Sequence, residues 1–207
     1  MKTHDKILIE SLKLFAIKGY SDVFLNDIAE KVGIKAPSIY KHFKNKKDIF
    51  ESCIEKFEER MNEKRLQLLL PINNEKLDPY LLKSREEIID IALKLLEFHL
   101  TDDVASNFRK MLLIERGRSS EINSIYEKTF ITNPLFYQEN VFKMLINENK
   151  FKKGDSKLMA LKFYSPIYFI LQKYDFERGS LKNAKDELTK IIIDFCNEYE
   201  VSNEKND

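Results

Sequence analysis

Residues 34–50 read IKAPSIYKHFKNKKDIF, with five lysines, one histidine, one tyrosine and no acid before Asp48. Ammonium groups neutralise phosphates, while serine and tyrosine hydroxyls and the imidazole ring can hydrogen-bond phosphate oxygens or base edges. Six lysines and no acid lie between Lys31 and Lys47. Residues 1–57 hold eleven lysines against eight acids, although the whole chain carries a formal charge of only +1. The local excess therefore points to an anionic partner where the total charge points to none. A lysine run is also what an ordinary solvated helix face looks like, so composition leaves both readings open and spacing must separate them.

The spacing is that of two short helices joined by a tight turn. Ile28 and Val32 share one side of a helix over roughly Leu25–Val32, and Gly33 stops it. A second helix begins near Ala36-Pro37, with proline in a first turn where its missing N–H costs nothing, and runs to about Phe43. Ala29 lies four residues before Gly33, as two closely crossing helices require: a small residue at the crossing and a glycine for the positive φ of the turn. Ile28, Val32, Ile34 and Ile39 then form an apolar wedge. The other face of the second helix carries Lys35, Ser38, Tyr40, Lys41 and His42. Lys44, Lys46 and Lys47 follow at the start of the next helix, where free N–H groups and the helix dipole also attract phosphate. One helix in the major groove with a backbone clamp behind it accounts for the whole set.

The segments LKLFAIKGY, IAEKVGI and SIYKHFKNKKDIF fall at the spacing of the tetracycline-repressor (TetR) family of transcriptional regulators, which this chain resembles from about Asp5 to Phe57. The resemblance implies an all-helical homodimer on a palindromic operator, usually a repressor released by a small molecule in its C-terminal domain. By position, Tyr40 and His42 match the family's phosphate-contacting aromatic and histidine, and Lys46 matches its lysine at the start of the fourth helix. Lys35, Ala36, Pro37, Ser38 and Lys41 match the positions that select sequence. Phe24 and Lys35 depart from the pattern, standing where a threonine or serine commonly caps a helix, a contribution of roughly 1 kcal/mol. Without that cap, Asp22 becomes an alternative start for the second helix.

The rest of the chain follows helical periodicity with no convincing strand. A long helix starts near Lys46 with Phe50, Ile54, Phe57 and Met61 as its stripe. A turn-rich segment, LPINNEKLDP, follows. Ser84 and Glu87 stand at capping-box spacing before the next amphipathic helix. Residues 119–149 read as one helix broken at Asn133-Pro134, residues 156–175 as a helix kinked at Pro166, and a last helix follows Gly179-Ser180. The expected fold is all-α, with about nine helices. A helix-turn-helix domain at 1–47 is joined by a long helix to a ligand-binding and dimerisation bundle at 48–207.

Beyond residue 57 no catalytic, phosphate-loop or metal signature occurs, so neither an enzyme nor a cofactor is expected. Cys53 and Cys196 have no metal spacing and read as buried free thiols of a reducing, cytoplasmic setting. No apolar run approaches bilayer length, so no membrane association is expected. The ten phenylalanines and seven tyrosines beyond residue 57 suit core packing, a subunit interface, or an apolar effector cavity between helices. Candidates for the cavity are Phe108, Met111, Tyr126, Phe130, Tyr137 and Tyr164. Candidates for the dimer interface are Tyr168, Ala184, Leu188, Ile192 and Phe195. His99 reads as a helix-surface residue, and Arg109, Arg116 and Arg118 as solvated helix residues, with contact to an anionic ligand as the alternative. The expected function is a ligand-responsive regulator, which the resemblance implies is a repressor, with double-stranded operator DNA, a largely apolar small molecule and a second copy of the chain as partners. The alternative is a helical small-molecule-binding or enzymatic protein that does not bind DNA.

Overall fold

A computed structural model of the chain describes residues 2–70, 83–175 and 180–201. Nine α-helices occur among them: α1 Thr3–Lys18, α2 Leu25–Val32, α3 Lys46–Gln67, α4 Arg85–Thr101, α5 Asp103–Glu115, α6 Ser120–Glu127, α7 Asn133–Asn147, α8 Ser156–Tyr174 and α9 Leu181–Tyr199. A 3-10 helix covers Ala36–Lys41, and a π segment covers Lys128–Thr132. Among the described residues the one β feature is an isolated bridge between Phe151 and Glu200. The all-α expectation holds. All of the segment LPINNEKLDP but its first residue, Leu70, and also Gly179, lie outside the described residues.

Several boundaries follow from the residues named in the sequence. Gly19 ends α1 at φ +87°, its N–H donating to Phe15 O at 2.9 Å. Ser84 and Glu87 form a true capping box before α4: Ser84 N–H donates to the Glu87 carboxylate at 2.8 Å, and Glu87 N–H to Ser84 Oγ at 3.2 Å. Two expectations change. The break between 119 and 149 is the π segment upstream of Asn133, and Pro134 sits in the first turn of α7, where its missing N–H is harmless. The third helix is a 3-10 helix ending at Lys41.

The described chain divides into two compact units, residues 2–64 with 101–127, and residues 65–100 with 128–201. In the first, α1 packs on α2 and on α5 around Ile7, Leu12, Phe15, Ile28, Ile39 and Ile49, all almost fully buried. Phe57 of α3 stacks on Phe108 of α5, centroids 4.4 Å apart and planes 18° from parallel. Asp102 caps α5, accepting from Val104 N–H at 3.0 Å and Ala105 N–H at 3.1 Å, and also pairs with Arg60 of α3 at 2.6 Å. In the second unit α8 packs against α7 and α9. Phe142, Phe163 and Phe195 meet there ring to ring, with Leu188, Ile192 and Cys196 in the same core.

Candidate nucleic-acid interface

The interface is built on the α2 turn. Gly33 adopts φ +77°, ψ +36°, and its N–H reaches Ala29 O at 2.9 Å and Glu30 O at 3.1 Å while Ile34 N–H reaches Ala29 O at 3.0 Å. A Cβ at Gly33 would meet nothing within 4 Å, so glycine is needed there for its backbone conformation alone. Lys6 of α1 donates from Nζ to Val32 O at 2.8 Å, satisfying one of the carbonyls that end α2. Ile28, Ala29, Val32, Ile39 and Phe43 are buried beneath the turn.

The start of α2 needs no side chain from Phe24. The Asp27 carboxylate reaches back to accept Phe24 N–H at 2.7 Å, which begins the helix at Leu25 rather than at Asp22. The Phe24 ring is left 69% exposed.

In a 3-10 helix, residues three apart eclipse one another. Ala36–Lys41 therefore shows three ridges. Ile39 carries the inner one and is fully buried. Lys35, Ser38 and Lys41 form a second, and Pro37 with Tyr40 a third; Lys35, Pro37, Tyr40 and Lys41 are exposed, Ser38 and Ala36 half-buried. Tyr40 presents 61% of its surface. His42 follows, exposed, its ring 6.3 Å edge-on from that of His4, which itself stacks on Phe43 at 4.5 Å. Lys35, Ala36, Pro37, Ser38, Tyr40, Lys41 and His42 thus lie on one short, continuous segment.

Lys46 is placed differently. Its Nζ donates to the carbonyls of Tyr20 at 2.9 Å, Ser21 at 3.3 Å and Val23 at 2.9 Å, and lies 4.5 Å from the centre of the Tyr20 ring. Burial, reinforced by Glu121, Glu51 and Glu115, holds the Tyr20 phenol above its ordinary pKa.

The cavity candidates fall in both units. In the first, Phe108, Met111 and Tyr126 are fully buried, Phe108 against Phe57 and Tyr126 under the Arg116 guanidinium at 4.3 Å. In the second, Tyr164 OH donates to the carbonyl of Phe130 at 2.7 Å, and Tyr137 is half-buried. A cavity of about 150 Å³ lies elsewhere, between the end of α3 and the start of α4, lined among others by Leu68, Leu69, Glu87, Asp90 and Lys94. Arg109 corrects an expectation: it is fully buried rather than solvated, because α5 buries both flanks, from Ala105 and Phe108 to Met111 and Leu112. Arg118 instead pairs with Asp22 at 3.0 Å. His99 is half-buried, edge-on to Phe98 and Phe130.

Of the interface candidates, Ala184, Leu188, Ile192 and Phe195 are buried inside their own chain. Tyr168 alone lies on the outer side of α8, in a stripe with Leu158, Leu161, Ser165 and Phe169. Leu158, Leu161 and Phe169 are 50%, 49% and 64% exposed.

Among the described residues no helix is long and apolar enough to cross a membrane. Residues 7–53 match the sequence model of the family described as bacterial regulatory proteins, tetR family. The negative transcriptional regulator IcaR of the biofilm operon icaADBC from Staphylococcus aureus (strain Newman) is 46% identical over 50 residues, 24% of this chain and 27% of that protein. The Staphylococcus epidermidis IcaR is 41% identical over 51 residues, 25% of this chain and 28% of its own length. The matched segment thus spans about a quarter of these relatives. At the level of fold the likeness extends over nearly the whole chain. The triclosan complex of SmeT superposes with a TM-score of 0.71 at 15% identity, covering 98% of this chain and 94% of that one; another structure describes SmeT as the repressor of a Stenotrophomonas maltophilia multidrug efflux pump. A TetR-family transcriptional regulator from Marinobacter aquaeolei superposes with a TM-score of 0.64 at 20% identity, covering 94% and 91%.

Proposed function

We propose that this chain is a ligand-responsive transcriptional regulator acting as a repressor, a reading supported by an N-terminal segment that matches the tetR-family model and by a fold shared with TetR-family regulators. It acts in the cytoplasm, not as an enzyme, and binds a palindromic operator as a homodimer. Residues 1–47 form the DNA-binding domain and residues 48–207 the effector and dimerisation domain. The observation that carries the reading is the glycine-turned helix pair with its acid-free outer ridges: exposed Lys35 and Lys41 about half-buried Ser38, beside exposed Tyr40 and His42.

One short helix spans only a few base pairs, so a specific site calls for two copies. The outer stripe of α8 supports this: Leu158, Leu161 and Phe169 are large apolar side chains that stand exposed along it, with Tyr168 half-buried beside them. The effector is a small, largely apolar molecule held among the rings of the helical bundle. It releases DNA by favouring a spacing of the two recognition helices that no longer matches successive major grooves. Moving such an equilibrium from 1:99 to 99:1 takes a preference of about 10⁴-fold.

The test is fluorescence anisotropy with a labelled duplex taken from the DNA flanking the protein's own gene. Tight binding that weakens steeply with salt, and is lost on Tyr40→Ala with Lys41→Ala, is expected. Equal, feeble binding of that duplex and a scrambled one would favour the small-molecule-binding alternative.

A further inference from the structure

We propose that Lys46 is a positioning residue of the DNA-binding domain rather than one of its phosphate contacts, and that together with Glu115 it fixes the loop between α1 and α2. The inference rests on the DNA-binding reading above. An ammonium group has three N–H donors. Those of Lys46 face three carbonyls of one loop, Tyr20, Ser21 and Val23, at 2.9, 3.3 and 2.9 Å, with the Tyr20 ring 4.5 Å away. To reach a phosphate, the side chain would have to abandon three charge-assisted bonds.

The opposite charge holds the opposite groups of the same loop. The Glu115 carboxylate is 1% exposed and accepts from Ser21 N–H at 3.2 Å and Ser21 Oγ–H at 2.8 Å. Beside it, Arg118 pairs with Asp22 at 3.0 Å. The loop is thus bound at its carbonyls by the first turn of α3 and at its N–H by the last turn of α5. Both α2 and the 3-10 helix hang from its far end, so these two side chains set where the recognition segment stands. Lys6, whose ammonium closes α2 at Val32 O, is used internally in the same way. The charge available to DNA is then that of Lys35, Lys41, Lys44 and Lys47, all exposed.

The test compares Lys46→Met with the wild-type protein in two measurements. In the DNA-free protein, amide hydrogen exchange at residues 20–25 should accelerate at least tenfold. A lysine that serves only a phosphate leaves exchange unchanged, and that result overturns the proposal. In anisotropy titrations against the flanking duplex over a range of salt, affinity should fall while the slope of log K against log salt stays constant. A slope reduced by about 1, the signature of one lost phosphate contact, also overturns it. Lys46→Gln guards against a misfolded Met variant: its amide has two N–H donors and no charge, so it should restore part of the protection and keep the wild-type slope. Wild-type protein that binds no duplex would defeat the functional reading, and the exchange measurement alone would then decide the clamp.

Discussion

The carboxylate of Glu115 occupies the space that a side chain at Gly19 would need. A Cβ built on Gly19 would lie 2.3 Å from Glu115 Oε1 and 3.0 Å from the Ile114 side chain. Gly19 also holds φ +87° and ψ +155°, a combination essentially confined to glycine. Gly33 makes a useful contrast, since at φ +77° it has open space around it.

Substitution by alanine should therefore separate the two glycines. Gly33→Ala costs about 1 kcal/mol, the price of a left-handed alanine. Gly19→Ala should cost more, roughly 2–4 kcal/mol, because backbone strain adds to displacement of a buried carboxylate. Urea denaturation measures both, and equal losses would refute the role given to Glu115.

Sequence selection should reside in the ridge of Lys35, Ser38 and Lys41. Ser38→Ala or Lys41→Ala is expected to relax discrimination at a contacted base pair by about 1–3 kcal/mol. Competition among duplexes altered one base pair at a time reads this directly. Uniform weakening across all of them would make these residues backbone contacts instead.

The two sides of the C-terminal helices should respond in opposite ways. Leu161→Glu with Phe169→Glu alters the exposed stripe of α8, and should give folded monomers by sedimentation with weakened operator binding. Leu188→Glu buries an unpaired charge in the core of one chain and should cost several kcal/mol, visible as a lowered Tm. A folded monomer from Leu188→Glu would return the interface to the inner face of α9.

Both thiols should be inert in the folded protein. Burial pushes Cys196 up to about 12, and Cys53 is raised further by burial alone. At pH 8 about one Cys196 in 10⁴ is then thiolate, against roughly a quarter at an unfolded pKa near 8.5. The folded pKa lies above the unfolded one, so this contribution to stability is complete below about pH 8.5 and is lost as pH rises towards 12. Thiol-reactive disulfide reagents should label neither cysteine at pH 8 until denaturant unfolds the chain.

Much of the candidate interface was legible because it depends on local chemistry. Gly33 and Ala29 announce the turn, and Ser84 with Glu87 announces a helix start, since each acts within four residues of itself. The 3-10 winding of Ala36–Lys41 was hidden, because Pro37 and the apolar pattern suit either helix. Apolar periodicity also could not tell the core of one chain from the seam between two: Ala184, Leu188 and Ile192 repeat as an interface would, yet lie inside. Arg109 and Lys46 were hidden for a related reason. A charged residue announces its charge but not its distant neighbours, and those of Lys46 are main-chain carbonyls some twenty-five positions away.

That choice of neighbours bears on how the protein can evolve. Lys46 grips peptide groups, which every amino acid supplies, so its hold on the loop at residues 20, 21 and 23 is largely blind to which side chains occur there. The side chains of the loop are constrained separately, Val23 by full burial, Tyr20 by its packing on Phe15 and Phe50, and Ser21 by its hydroxyl bond to Glu115. The backbone hold itself depends on three positions far apart in the chain: a glycine at 19, a lysine at 46 and a glutamate at 115. If the proposed clamp holds, losing any of the three would shift the segment assigned to DNA, whatever side chains the exposed part of the loop carries.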